Sequence, residues 1–146
     1  MVTRWLIACV LVAITVAVHA SGLAALLRAL MRGVLPSRTW PISWLLVRFT
    51  WALLLIHMAE IGVWAIFFWW MDCLPDAETA IYFSGVTYAT VGYGDVVLPQ
   101  PWRFLGPVEG LTGILMCGLS TGLFFAVFNR VIGATQGTES VVGAKE

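Results

Sequence analysis

The sequence predicts an all-α membrane protein, and three observations predict it. Of 146 residues, 60% are hydrophobic and only 11% charged, where a soluble domain usually carries roughly 25% charged residues. Mean hydropathy is +0.91. Three long apolar runs, the first of them free of charge, each exceed the ~20 residues that a helix needs to cross a bilayer, and the length leaves little chain outside them. Eight basic and eight acidic side chains give a formal net charge of zero, which excludes a basic surface for nucleic acid and a charged tail for an acidic partner. Cys9, Cys73 and Cys117 are scattered without metal-ligand spacing. An odd number cannot close completely into internal disulfides, so they read as apolar filler.

The first run, 5–27, is broken only by His19 and small polar residues and reads as a first span. A cleaved signal peptide is the alternative, because Arg4 precedes the run and Val18-His19-Ala20 resembles a small-residue cleavage site. Against cleavage, the run continues to Leu27, and Arg28, Arg32 and Arg38 lie beyond it, which favours an uncleaved helix starting outside. Residues 28–40, closed by Pro36 and Pro41, form the expected cytoplasmic connection. The second run, 43–71, holds Arg48, His57 and Glu60 and ends in Trp64, Phe67, Phe68, Trp69 and Trp70, an interfacial aromatic belt. The third, 104–131, contains Glu109 and stops at Asn129-Arg130. This topology puts Arg28, Arg32, Arg38, Arg48, Arg130 and Lys145 inside against Arg4 and Arg103 outside, as the positive-inside rule requires. The chain therefore divides into a leading helix with its connection (1–42), a central unit (43–133) and a small, polar, disordered cytoplasmic tail (134–146).

Between the second and third runs, 72–76 is polar with Pro75, and Asp76 is a good N-cap for a helix starting at Ala77 with Glu78 in its first turn. That helix reaches about Tyr88, too short to span, and meets Thr90-Val91-Gly92-Tyr93-Gly94-Asp95. A short helix followed by a glycine-spaced strand, with spans on both sides, predicts a re-entrant loop.

Those six residues are identical to the selectivity-filter signature of potassium channels. The resemblance extends to Tyr82-Phe83-Ser84-Gly85-Val86-Thr87, which looks like the pore helix of these channels, and to Gly118-Leu119-Ser120-Thr121-Gly122, which resembles the segment carrying a hinge glycine at Gly118. It covers roughly 43–131, and the leading helix resembles an extra span of some small prokaryotic members. The resemblance implies a pore module of outer helix, re-entrant pore helix and filter, and inner helix. It also implies a homotetramer in the inner (plasma) membrane, surrounded by lipid, with the N-terminus outside and the C-terminus cytoplasmic. Transport would be passive and without catalysis. K⁺ would be held at Thr90, Val91, Gly92 and Tyr93, with Gly94 completing the filter and no organic cofactor. The residues suit the task. Gly92 and Gly94 tolerate positive φ and turn successive carbonyls toward one axis, Val91 and Tyr93 point away into packing, and Thr90 adds a hydroxyl. The preceding helix aims its negative end at the cation below.

Departures from the family pattern stand at three places. Ala89 replaces a second threonine, so a hydroxyl ring facing the cavity is missing. Phe83 sits where some members carry a tryptophan whose N–H ties to the filter tyrosine, and Val86 takes the place of a buried acid behind the filter. Glu109, ~9 Å along the helix from Arg103, is the candidate to serve from the other side.

The remaining polar residues admit paired readings. His57 and Glu60, three apart on one face, are either a pH-sensitive gating contact or a packing pair. Glu109 tunes the filter or is merely buried. The glycines Gly106, Gly110, Gly113, Gly118 and Gly122 allow close helix packing, with Gly118 as a gating bend the sharper reading. Asp72, Asp76, Glu78 and Asp95 make an acidic outer mouth, Asp95 shaping the entrance. Cys73, outside, is the cysteine that would bridge subunits. Two other functions stay open: a non-conducting or weakly selective channel-like subunit, and a haem electron-transfer protein ligated by His19 and His57. No G-x-x-x-x-G-K-[ST] nucleotide loop occurs, nor an arginine at every third position of a span as in a voltage sensor. Gating is left to the filter, Gly118, lipid, pH or membrane tension.

Overall fold

A computed structural model describes residues 2–32 and 42–143. Pro36, Arg38 and Pro41 of the expected connection, and Lys145, lie outside the described residues. The helices are α1 (Val2–Met31), α2 (Ile42–Trp70), α3 (Ala77–Tyr88) and α4 (Leu105–Gly143), with a 3-10 turn Gln100–Trp102 ahead of α4. Three stretches, Val2–Met31, Ser43–Trp70 and Gln100–Asn129, are long and apolar enough to cross a membrane. The chain is a multi-pass, all-α membrane protein.

The first span is longer at both ends than the uncharged run 5–27 because a backbone with no water to turn to keeps its bonds inside the helix. Its buried residues, Ala8, Leu11, Thr15 and His19, recur every three or four positions and form one stripe. Ala8 and Leu11 of that stripe pack into the same cluster as Trp64, Phe68 and Leu105.

The short helix starts where the sequence places it. Asp76 is extended (φ −152°), and its carboxylate accepts the backbone N–H of Thr79 at 2.7 Å and the Thr79 hydroxyl at 3.0 Å. One orphan backbone donor of the first turn is thus provided for, and the threonine side chain fastens the cap. α3 lies against both α2 and α4. On the α2 side, Phe83 meets Phe68 edge-on with ring centroids 5.4 Å apart, a contact contributing about 0.5–1.5 kcal/mol. A second cluster, Phe49, Leu53 and Val127, joins α2 to α4 near the other end, with Leu23 and Leu26 of α1 packed on it.

Lipid tails are as apolar as leucine, so helix association here rests on close contact and polar ties rather than on escape from water. The glycines of α4 show where contact is closest. A Cβ at Gly113 would fall 2.2 Å from the Tyr88 carbonyl oxygen, and one at Gly110 3.3 Å from that of Thr87. The end of α3 is seated on these two glycines. Gly106, Gly118 and Gly122 have nothing within 4 Å of an added Cβ, so close packing within this chain does not account for them.

Two expectations change. The segment from Ala134, read as a disordered tail, continues α4 as helix to Gly143. Extending an anchored helix adds one hydrogen bond per residue without a new nucleus. Cys73 is 5% exposed, inside the aromatic cluster, with its thiol directed to the Met71 carbonyl at 3.7 Å. Burial pushes its pKa up, and a side chain so placed is not available to bridge subunits.

Gly113→Ala forces the α3 terminus away from α4 and should destabilise the fold by about 1–3 kcal/mol, seen as an earlier loss of helical circular dichroism on heating in detergent. Gly118→Ala should leave the midpoint unchanged or raise it, by up to ~1 kcal/mol of helix propensity.

Candidate functional site

The glycine-spaced segment hangs from the last turn of α3. Ala89 keeps helical backbone angles, and its N–H bonds the Gly85 carbonyl at 3.0 Å. Thr90 then turns into the left-handed region (φ +60°), its N–H still bonded to the Thr87 carbonyl at 2.9 Å. The next two amides, Val91 and Gly92, both donate to the Val86 carbonyl, at 2.8 and 3.1 Å. Gly92 (φ +53°) and Gly94 (φ +79°) are also left-handed. The sequence predicts this for both glycines but not for Thr90, whose β-branched side chain disfavours it. Alternating hands along 90–94 let successive carbonyls face one side, which a regular strand does not allow.

Val91 and Tyr93 are 50% and 71% exposed. Among the described residues of one chain, the packing expected around them is absent. Behind the segment lies a cavity of about 370 Å³ whose lining includes Phe83, Val86, Thr87, Gly92 and Arg103. Phe83 turns its ring into the α2 cluster, and Arg103 donates from Nε to the Leu98 carbonyl at 3.1 Å.

A tie the sequence does not announce closes the far end of the segment. The Tyr82 hydroxyl donates to Asp95 Oδ2 at 2.7 Å, joining α3 to the residue after the last glycine. This bond holds the Asp95 carboxyl below the usual carboxylate range and pushes the Tyr82 phenol up. The bond fastens the end of the segment to its own short helix.

Two buried carboxylates sit behind α3. Glu109, fully buried on α4, meets the Ser84 hydroxyl, which also donates to the Ile61 carbonyl at 3.0 Å. The contact that Glu109 makes is thus with α3 and not with the glycine-spaced segment itself. Glu60 is also fully buried, and three groups from three helices converge on it: His19 Nδ1 of α1 at 2.6 Å, His57 Nδ1 at 3.2 Å and the Tyr88 hydroxyl of α3. The His57–Glu60 contact is the one that helical spacing predicts. His19 and Tyr88 come from distant positions, and the signal for them was only that an intramembrane acid needs partners.

His19, His57 and Glu60 carry donor atoms within 4.8 Å of one another, as a metal site would. At 2.6–3.2 Å, however, they satisfy one another as hydrogen-bonding partners. The two imidazole rings lie 5.5 Å apart, tilted by 41°, each directing Nδ1 at Glu60. They act as partners of one carboxylate and do not face each other across a gap for a macrocycle. Gly118, the remaining candidate, has open space beside it.

Residues 44–130, which hold α2, α3, the glycine-spaced segment and most of α4, match the family described as Ion channel. No match was found among curated proteins or among solved structures.

The Tyr82–Asp95 tie has a pH signature. A carboxyl with a lowered folded pKa contributes stability that is present above its ordinary value and lost as pH falls through the lowered one. Tyr82→Phe should raise the Asp95 midpoint toward the ordinary ~3.9, followed by carbon-13 NMR of the side-chain carboxyl. An unmoved midpoint would show that the bond does not form in the membrane protein.

Proposed function

The chain belongs to the ion-channel family, and from that premise we propose that it is a potassium-selective channel conducting K⁺ passively down its electrochemical gradient. One observation carries the reading: Thr90-Val91-Gly92-Tyr93-Gly94-Asp95 is held in alternating-hand backbone immediately after a short helix, with Val91 and Gly92 hooked to the Val86 carbonyl. A cation leaving water needs several oxygen dipoles at close quarters, and carbonyls of Thr90, Val91, Gly92 and Tyr93, with the Thr90 hydroxyl, supply them without a formal charge that would trap it.

One strand gives one quarter of such a ring, so the unit is a homotetramer of cyclic symmetry. The uncovered Val91 and Tyr93 side chains are consistent with strands that find their packing on neighbouring copies. α3 directs the negative end of its dipole toward the start of the filter, favouring a cation there. Asp72, Asp76, Glu78 and Asp95 form the acidic outer mouth, with the N-terminus outside and the C-terminus in the cytoplasm of a plasma (inner) membrane protein.

A non-conducting or weakly selective subunit is the second reading. Phe83 favours it, because its ring is committed to the α2 cluster and has no donor to steady Tyr93.

Flux into liposomes containing the purified protein separates the two. K⁺ entering well ahead of Na⁺, with the preference lost in Gly92→Ala, supports the channel. A Cβ at this left-handed position costs roughly 1–2 kcal/mol of backbone strain per subunit. Equal K⁺ and Na⁺ flux, or none, favours the second reading.

A further inference from the structure

α1 stands outside the matched segment 44–130, yet its His19 reaches directly into it. The stripe that α1 buries is otherwise small, apolar or self-satisfied, since Thr15 returns its hydroxyl to the Leu11 carbonyl at 2.9 Å. His19 is 1% exposed, and one turn later a Cβ at Gly22 would fall 2.7 Å from Ile56 of α2. The two helices are therefore as close as side chains permit where the imidazole crosses. With Glu60 as the acceptor, His19 Nδ1–H donates to Oε1, while Oε2 takes His57 and the Tyr88 hydroxyl. A carboxylate inside a membrane is costly and is kept only where donors hold it.

The other end of this chain of bonds is Tyr88, the last residue of α3. Its carbonyl rests on Gly113, and its ring is tied to Glu60. Tyr88 thus stands between Glu60 and the turn from which Thr90, Val91 and Gly92 hang through the carbonyls of Thr87 and Val86. We propose that His19 is a positioning residue for ion selectivity: the leading helix fixes Glu60, Glu60 fixes Tyr88, and Tyr88 fixes the inner end of the filter. The role rests on the potassium-channel reading above. It gives α1 a task in conduction that packing alone does not.

The test compares K⁺ and Na⁺ flux in liposomes for the wild type, His19→Leu, His19→Asn, Tyr88→Phe and the double variant His19→Leu/Tyr88→Phe. Ser21→Ala serves as control, because among the described residues Ser21 bonds only back to Val18 of its own helix. His19→Leu keeps the volume but removes the donor, and the K⁺ over Na⁺ preference should fall about tenfold, the factor carried by one hydrogen bond to a charged group. Asparagine places an N–H where Nδ1 stands, so His19→Asn should restore the preference. The double variant should be no worse than either single one, because both break the same chain of bonds. Selectivity is the informative readout, since loose packing of α1 would lower the amount of assembled protein without changing which ion passes.

A wild type that discriminates K⁺ from Na⁺ together with an equally selective His19→Leu overturns the positioning role and leaves the channel reading standing. Additive losses in the double variant overturn it as well. A wild type without K⁺ preference removes both. If His19→Leu does not assemble, Tyr88→Phe decides, because it cuts the last link without touching α1: unchanged selectivity there overturns the proposal, and a tenfold loss supports it.

Discussion

The pair of hydrogen bonds from the Val91 and Gly92 amides to the Val86 carbonyl is the constraint on which the rest of the structure depends. Non-helical backbone at membrane depth survives only if its polar groups are provided for or line a wet path. Here the amides are anchored on the helix that has just ended, and the carbonyls of the segment are thereby left free for another use. A segment held in this way takes its orientation from α3. Whatever moves α3 by a fraction of an ångström moves every carbonyl after it.

The chain surrounds α3 accordingly. Asp76 caps its start, Tyr82 ties its exposed face to Asp95, Ser84 binds it to Ile61 and Glu109, and Tyr88 binds its last turn to Glu60. Gly110 and Gly113 bring α4 against its final carbonyls. These are polar ties and backbone-close contacts rather than a large apolar core. Between helices that lie in lipid, apolar burial gains little, and directional bonds in a low dielectric fix register. The placement of carboxylates follows the same logic. Both Glu60 and Glu109 occur where a span passes α3, and each holds that helix through a hydroxyl. The exposed acids Asp76 and Asp95 work in the same way on its other side. A residue expected to act directly on the glycine strand, Glu109, acts on the helix that carries it.

Composition and hydropathy determined the class of this protein, three spans and a short intervening helix, because a bilayer admits few spanning solutions and each needs its own length of apolar chain. The Asp76 cap, the start of α3 at Ala77, the positive φ of Gly92 and Gly94, and the His57–Glu60 contact were legible for a similar reason: each is decided by residues within about one helical turn. Tertiary structure alone decided which distant groups meet. Tyr82 finds Asp95, Ser84 finds Glu109, and His19 joins Tyr88 on Glu60 across separations that no periodicity encodes. Thr90 is forced left-handed, Gly113 rather than Gly118 receives a neighbouring backbone, and Cys73 is enclosed. Local rules assign a residue its conformation and its appetite for a partner. The partner itself is chosen by how whole helices cross, and in this chain those crossings place both Glu60 and Glu109 against α3.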